Sequence, residues 1–168
     1  MPLGTDYTNQ DCAVARSLEV VGERWTLLIV RDLFYGIRRY NELRKHIGLP
    51  PATLTDRLNH LVEEDVVERI PGEGARDEYR LTPKGEGLWP VVCGLAQWGN
   101  ANYVEPERRM GYKHRADGGE LNANGSCSVC GEIPDASEVM VQKATPLPKD
   151  AFAVALQEPH RLLQPLRP

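Results

Sequence analysis

The sequence lacks most of what would place the chain outside the ordinary globular class. No run approaches the roughly 20 consecutive apolar residues that a membrane-spanning helix needs. The opening MPLGTDYTNQDC has no basic segment followed by an apolar one, so no secretory signal is legible and a cytoplasmic location is expected. Cysteine is scarce. Four thiols at uneven spacing are too few for a disulfide scaffold, and in that compartment thiols stay mostly reduced. There is no large excess of one charge either. Twenty Lys and Arg face 24 Asp and Glu, a formal net charge of −4 that by itself argues mildly against a nucleic-acid partner. No internal repeat, glycine-rich phosphate loop or nucleophile–base–acid set is present, and the four histidines are scattered, so no enzyme chemistry is indicated. What is there, 168 residues of which 41% are hydrophobic, suits one ordinary domain with an appendage, or two very small domains.

The global charge hides a local one. From Arg38 to Leu58, Arg38, Arg39, Arg44, Lys45 and Arg57 stand against Glu42 and Asp56, a net +3. The chain also changes character near Val104. Amphipathic periods with short breaks precede it. The 64 residues after it hold seven of the 13 prolines and no long apolar period. The expected division is therefore a domain over 8–104 and a Pro-rich extension over 105–168, partly disordered.

Within the first part, the spacing of Val14, Leu18 and Val21 predicts a helix capped by Asp11 and broken at Gly22. GERWTLLIVRDLFYG predicts a second, with Trp25, Leu28, Ile29 and Leu33 on one face and Gly36 as its stop. Ile37 to Tyr40 reads as a short strand, and Asn41 then caps a small helix ending at Ile47. After Gly48, Pro51 opens a further helix, where its missing N–H would be unpaired anyway. Leu54, Leu58, Leu61 and Val62 form the buried stripe of that helix. Val66 to Ile70 and Glu78 to Thr82 predict a β-hairpin with Arg76 in its tip. A long helix from Glu86 to about Asn102 carries Leu88, Val92, Leu95 and Trp98 in register. Two short helices joined by a tight turn and followed by a hairpin are the order of a winged helix-turn-helix. The expected fold is mainly α with a small β-hairpin, an α+β winged helix-turn-helix with a C-terminal extension. Its fourth helix would enter a major groove, with the hairpin tip beside it over a minor groove or along phosphate.

Several stretches then fall in the order and spacing of a known family. They are Cys12, GERWTLLIVRDLFYG, RRYNELR, TLTDRLNHLVEEDVVER, and EYRLTPKG followed by Leu88, Pro90 and Trp98. From Cys12 to Gly99 the chain resembles the bacterial HxlR-type transcriptional regulators, winged-helix proteins related in shape to MarR. The resemblance implies a homodimer on a promoter inverted repeat, with the first and last helices of the domain building the dimer. That places Val14, Leu18, Leu88, Val92, Leu95 and Trp98 at the seam. Three positions depart from the pattern: Ala13 where proline usually follows the cysteine, Tyr40 where phenylalanine is usual, and Asp65 where glycine commonly ends the recognition helix. Asp tolerates a left-handed backbone, so that turn can survive.

On this geometry the DNA-facing candidates are Thr53, Asp56 and Arg57, with Thr55, Asn59 and His60 on the same face. The plainer alternative is a solvated helix face. Arg38, Arg39, Arg44 and Lys45 flank the turn as phosphate contacts, and Arg76 is the wing candidate, while Arg69 and Arg80 read as braces of the hairpin with Glu68 or Glu78. Trp25 and Trp98 read as core and dimer packing. Trp89 lies off the stripe and is a candidate for facing a partner.

Cys12 stands near a helix start, where partial positive charge lowers a thiol pKa. In the resembled family a cysteine there often senses quinones, aldehydes or oxidants. A small buried residue in the interface is the other reading. Cys93 reads as packing. Cys127 and Cys130 form CSVCG, half a zinc knuckle, for which His114 is the nearest upstream further ligand, with Asp117 or a partner chain open as the fourth. A redox pair or two idle thiols are the alternatives. No cofactor is required by the main reading, zinc being the one candidate. The expected partners are double-stranded DNA, a second copy of the chain, and a small-molecule or oxidant effector, with no membrane. The rival functions are a winged-helix protein-docking module and a thiol or zinc redox protein using Cys127 and Cys130.

Overall fold

A computed structural model describes residues 7, 10–72, 76–143 and 150–167. The first helix, α1 (Ala13–Val21), starts from Cys12 rather than Asp11. Cys12 takes the extended N-cap conformation, and no side chain caps the helix. Helix α2 (Thr26–Phe34) buries Ile29, Val30, Leu33 and Phe34, two adjacent columns of a helical surface. Helix α3 (Tyr40–Ile47) buries Leu43 and ends at Gly48, whose φ of +77° supplies the left-handed turn. Helix α4 (Pro51–Glu63) begins on proline, as its sequence predicts, and buries Leu54, Leu58 and Leu61. Val62, expected on that stripe, is 38% exposed. Asp65 takes φ 55°, the left-handed conformation that lets the chain leave α4 without a glycine.

Strands β1 (Val67–Ile70) and β2 (Glu78–Leu81) pair antiparallel, Val67 opposite Leu81. Tyr79 and Leu81 face the core as expected. The link before α3 lies along this hairpin, with Arg39 bridging Glu78 and the Tyr79 N–H donating to the Arg38 carbonyl at 2.8 Å. The long last helix, expected from Glu86, starts later: a short helix α5 (Pro83–Glu86) ends there, and α6 (Trp89–Asn102) follows. Thr82 caps the first, and Pro90, which has no N–H to donate, sits in the first turn of the second.

The extension is folded where it is described. Strands β3 (Met110–His114), β4 (Val139–Lys143) and β5 (His160–Arg161) form an antiparallel sheet in that order, and helix α7 (Ala151–Ala155) lies between the last two in sequence. Tyr112, Val139, Val141, Phe152, Leu156, Leu162 and Leu166 join the same buried cluster as α2 and α4. Residues 144–149 and 168 of the stretch expected to be partly disordered lie outside the described residues.

Trp89 corrects the sequence reading. It is 2% exposed and faces no partner. Its ring meets Phe34 and Tyr112 edge-on, each at 5.3 Å between centroids, and so welds α2, α6 and β3. The tail is tied down by backbone. Leu163 N–H donates to the Phe34 carbonyl at 2.7 Å and Leu166 N–H to that of Gly36 at 3.0 Å. A Cβ at Gly36 would meet the Gln164 carbonyl oxygen at 1.7 Å, and its φ is +85°, so only glycine fits there.

Candidate functional site

The outer face of α4 presents Thr55, Asp56 and Asn59 to solvent, with Thr53, Arg57 and His60 half-buried at its margins. Tyr40 anchors the start of this helix. Its hydroxyl donates to the Pro51 carbonyl at 2.8 Å and lies 3.1 Å from Thr55 Oγ1. The hydroxyl that distinguishes Tyr40 from phenylalanine therefore ties α3 to the first turn of α4. Arg57 lies 3.8 Å from Glu23, in the turn before α2, and Asp56 makes no ion pair among the described residues.

The flanking cations divide into free and engaged groups. Arg44 and Lys45 are exposed at the end of α3 and make no ion pair among the described residues. Arg39 is exposed and sits within 3.8 Å of Glu42 and 4.0 Å of Glu78. Arg38 departs from the expectation of a free phosphate contact. Its guanidinium is half-buried and donates to the Leu163 carbonyl of the C-terminal segment. Burial, then the Arg80 charge, holds its pKa below the usual arginine value.

In the wing, Arg69 braces the hairpin as expected, but against Asp77 rather than Glu68 or Glu78. The Arg69 guanidinium, then the Gly72 N–H, holds the Asp77 carboxyl below its usual range. Arg80 pairs with Glu78 at 3.1 Å. Arg76 is exposed at the tip, and residues 73–75 lie outside the described residues. Between α3 and the wing lies a groove of about 480 Å³ whose lining includes Arg39, Asn41, Arg69, Arg76 and Tyr79. Sequence reasoning treated α3 and the wing separately and missed this groove.

It also missed a buried charged cluster. Asp32, with no exposed surface, accepts from Arg31 through Nε at 2.9 Å and Nη2 at 2.6 Å, and from His46 Nδ1 at 2.6 Å. His46 Nε2 lies 3.3 Å from Asp150. The cluster joins α2, α3 and the start of α7, and its one sequence signal was the Arg31–Asp32 pair inside the apolar run TLLIVRDLF. Beside it, Tyr35 and Tyr112 share a hydroxyl contact of 2.7 Å. Burial pushes both phenols up, Tyr112 well above the usual value. Arg31, His46, Asp150 and both tyrosines line an open cavity of about 1010 Å³ between α2, α6 and the extension.

Comparison with known proteins now bears directly on this architecture. The family profile described as HxlR-like helix-turn-helix matches residues 20–108. The chain belongs to the HxlR family. Its relatives are regulators. Rv3095 of Mycobacterium tuberculosis, an uncharacterized HTH-type transcriptional regulator, is 38% identical over 147 residues, 86% of this chain and 90% of its own. YvaP of Bacillus subtilis, described in the same words, is 33% identical over 54% of this chain and 86% of its own. The crystal structure of PA1607, described as a candidate transcription factor, aligns with a TM-score of 0.60 at 34% identity, over 83% of this chain and 96% of that one. The redox regulator HypR in its oxidized form aligns at 0.53 and 29% identity, over 56% of this chain and 100% of that one. This HxlR-family chain is thus a helix-turn-helix transcriptional regulator of winged-helix fold. No helix among its described residues is long and apolar enough to cross a membrane.

The apolar residues expected at a dimer seam separate into two sets. Val14, Leu18, Leu95 and Trp98 are exposed at 66%, 41%, 49% and 57%. Val92 is buried inside the chain, so its apolar surface is already covered without a partner, and Leu88 is half-buried. Trp98 stacks edge-on against Tyr103 at 5.1 Å, and Trp25 is half-buried under Arg24. The thiols separate too. Cys12 is exposed, and the backbone N–H groups of Ala15, then Val14, hold its pKa below the ordinary value. Cys93 is buried, which pushes its thiol up to about 11. His114, Asp117, Cys127 and Cys130 bring four potential metal ligands within 4.8 Å of one another.

Proposed function

We propose that the chain acts as a homodimer that binds a promoter inverted repeat through α4 and the β1–β2 wing. The observation that carries this reading is the outer face of α4, where exposed Thr55, Asp56 and Asn59 are flanked by the exposed cations Arg44, Lys45 and Arg76. Short polar side chains on a protruding helix suit base edges, and cations on either side suit phosphate. Thr53, Arg57 and His60 extend the base-facing set. Arg57, already near Glu23, acts at the margin. Arg39 contributes to phosphate binding through the groove between α3 and the wing. Arg38 serves the fold rather than the duplex.

The dimer uses the exposed apolar residues of α1 and α6, namely Val14, Leu18, Leu95 and Trp98. A twofold mate covers both patches with one self-complementary surface. The two α4 helices then reach successive major grooves about 34 Å apart and compete with or redirect polymerase. Cys12 precedes α1 at the edge of that seam, and oxidation or alkylation of its thiol would shift the spacing of the two α4 helices. The reading invokes no cofactor at the DNA-facing surface.

The test is a binding titration of the purified protein with a duplex from the promoter upstream of its own gene, beside a scrambled duplex, over a range of salt. Selectivity of at least about a thousandfold, the low end for specific regulators, is expected. Equal, weak binding to both duplexes at every salt concentration overturns the reading and favours docking to a protein.

A further inference from the structure

We propose that His114, Asp117, Cys127 and Cys130 form a tetrahedral site for one zinc ion that staples the C-terminal extension.

The donor atoms are spaced for it. Zinc–sulfur bonds of about 2.3 Å and zinc–nitrogen or zinc–oxygen bonds of about 2.0–2.1 Å place tetrahedral donors roughly 3.3–3.8 Å apart. Here Cys130 Sγ lies 3.4 Å from His114 Nδ1, and Cys127 Sγ lies 3.2 Å and 3.4 Å from the two Asp117 oxygens. His114 Nδ1 is 3.4 Å from Asp117 Oδ2. All four ligand atoms fall within 4.8 Å of one another. One ion at their centre would satisfy every donor. These contacts come from residues up to 16 positions apart in sequence, so chance proximity along one turn does not explain them.

Backbone hydrogen bonds of two tight turns hold the donors in this arrangement. His114 ends β3 opposite Val139 of β4. The chain then turns tightly, the His114 N–H donating to the Gly119 carbonyl and the Gly118 N–H to the His114 carbonyl, both at 2.8 Å. That turn carries Asp117 back beside the imidazole. The CSVCG segment makes its own turn, with the Gly131 N–H donating to the Cys127 carbonyl at 2.9 Å and φ of +78° at Gly131. The Val129 N–H points at Cys127 Sγ at 3.4 Å, the outer-shell donor that a thiolate ligand needs. Leu121 bridges Cys127 and so joins the two turns. At Gly119, a Cβ would meet Cys127 Sγ at 2.3 Å.

The surroundings favour a metal over a dithiol redox pair. Redox cysteines are activated by a neighbouring cation or a helix N-terminus. The charged group in contact with Cys127 is the Asp117 carboxylate, which opposes a bare thiolate and suits a divalent cation. Cys127 and His114 are buried, whereas Asp117 and Cys130 are exposed, so the ion would sit under one open edge. Binding exchanges protons, not electrons. Zinc displaces the thiol protons of Cys127 and Cys130, releasing two protons to solvent, while Asp117 binds as carboxylate and His114 as neutral imidazole through Nδ1.

The experiment uses the full chain, purified under reductant, stripped with chelator and titrated with cobalt(II) and then zinc. Expected are one metal per chain, the visible absorption of tetrahedral thiolate-bound cobalt, and displacement of cobalt by zinc. Two of the four thiols should become protected from a thiol reagent as zinc binds. Cys130→Ser, at an exposed position, should keep its circular dichroism yet lose more than the ten- to hundredfold in affinity that outer-shell changes typically cause. His114→Ala should behave likewise. Three results would overturn the proposal: no stoichiometric uptake by the reduced wild-type chain, an octahedral cobalt spectrum, or a Cys127–Cys130 disulfide in protein purified under reductant.

Discussion

Replacing Asp32 by alanine should destabilise the protein by about 3 kcal/mol. The carboxylate has no exposed surface and accepts three contacts of 2.9, 2.6 and 2.6 Å from Arg31 and His46. Removing one member of a buried pair leaves its partner charged and unsatisfied, which typically costs about 3–5 kcal/mol. The lower end applies because the Arg31 side chain is 30% exposed and can turn part of its guanidinium to water. For a chain of this size each kcal/mol moves the melting temperature by about 2–4 °C, so the expected fall is about 6–12 °C. Calorimetry at fixed protein concentration measures it, since the proposed dimerisation would make melting concentration-dependent. Replacing Arg31, Asp32 and His46 together by Met, Leu and Leu should recover most of the loss, because apolar groups of similar volume leave only the partly exposed Asp150 without its His46 contact. A fall of less than 2 °C for Asp32→Ala, or a triple variant no more stable than the single, would refute the idea that the Asp32 contacts with Arg31 and His46 brace α2 against α3.

Further outcomes follow from the exposed side chains. Lys45→Ala should weaken specific and scrambled duplexes alike and reduce the salt slope by about 0.9, whereas Asn59→Ala should cost about 1–3 kcal/mol at particular base pairs only. Uniform weakening by Asn59→Ala, read by fluorescence anisotropy, would remove α4 from base readout. Leu95→Asp should convert a dimer to monomer in sedimentation, and an unchanged mass would exclude α6 from the seam. Cys12 alkylation should inflect below the ordinary cysteine pKa, because a lowered pKa enlarges the thiolate fraction at neutral pH. Cys93 should stay silent until pH approaches about 11 or the chain unfolds. A Cys12 rate no faster than free cysteine at pH 7 would count against a sensing role.

Most of the helix-turn-helix was legible because its determinants are local. The leucine spacing of α4, proline at its first position, glycine after α3 and the polar hairpin tip each act within a few residues. One departure behaved as its chemistry suggested, Asp65 adopting the left-handed turn, and Arg69 braces the wing, though against Asp77. Errors clustered where several surfaces compete for one residue. Val62 and Trp89 were assigned by helical phase alone. In α6 Trp89 lies one turn before the buried Val92 and Cys93 on the same face, so it points inward to Phe34 and Tyr112 while Trp98 points out.

The extension shows the same limit more sharply. Strands of two to five residues produce no long apolar period, and seven prolines in the segment suggested disorder. The CSVCG pattern was visible, yet only the turn at Gly118 and Gly119 brings Asp117 and His114 to it. Sequence alone determined the helix-turn-helix and hairpin order, the family and the polar face of α4, because periodicity and turn chemistry are written along the chain. It did not determine the stretch from Ile37 to Tyr40, expected as a strand, where Arg39 makes only an isolated bridge and Tyr40 begins α3. Tertiary structure alone decided which arginines remain free, which tryptophan is buried and which thiols share a site. Those properties depend on neighbours tens of residues away, whose burial and pairing no local pattern encodes.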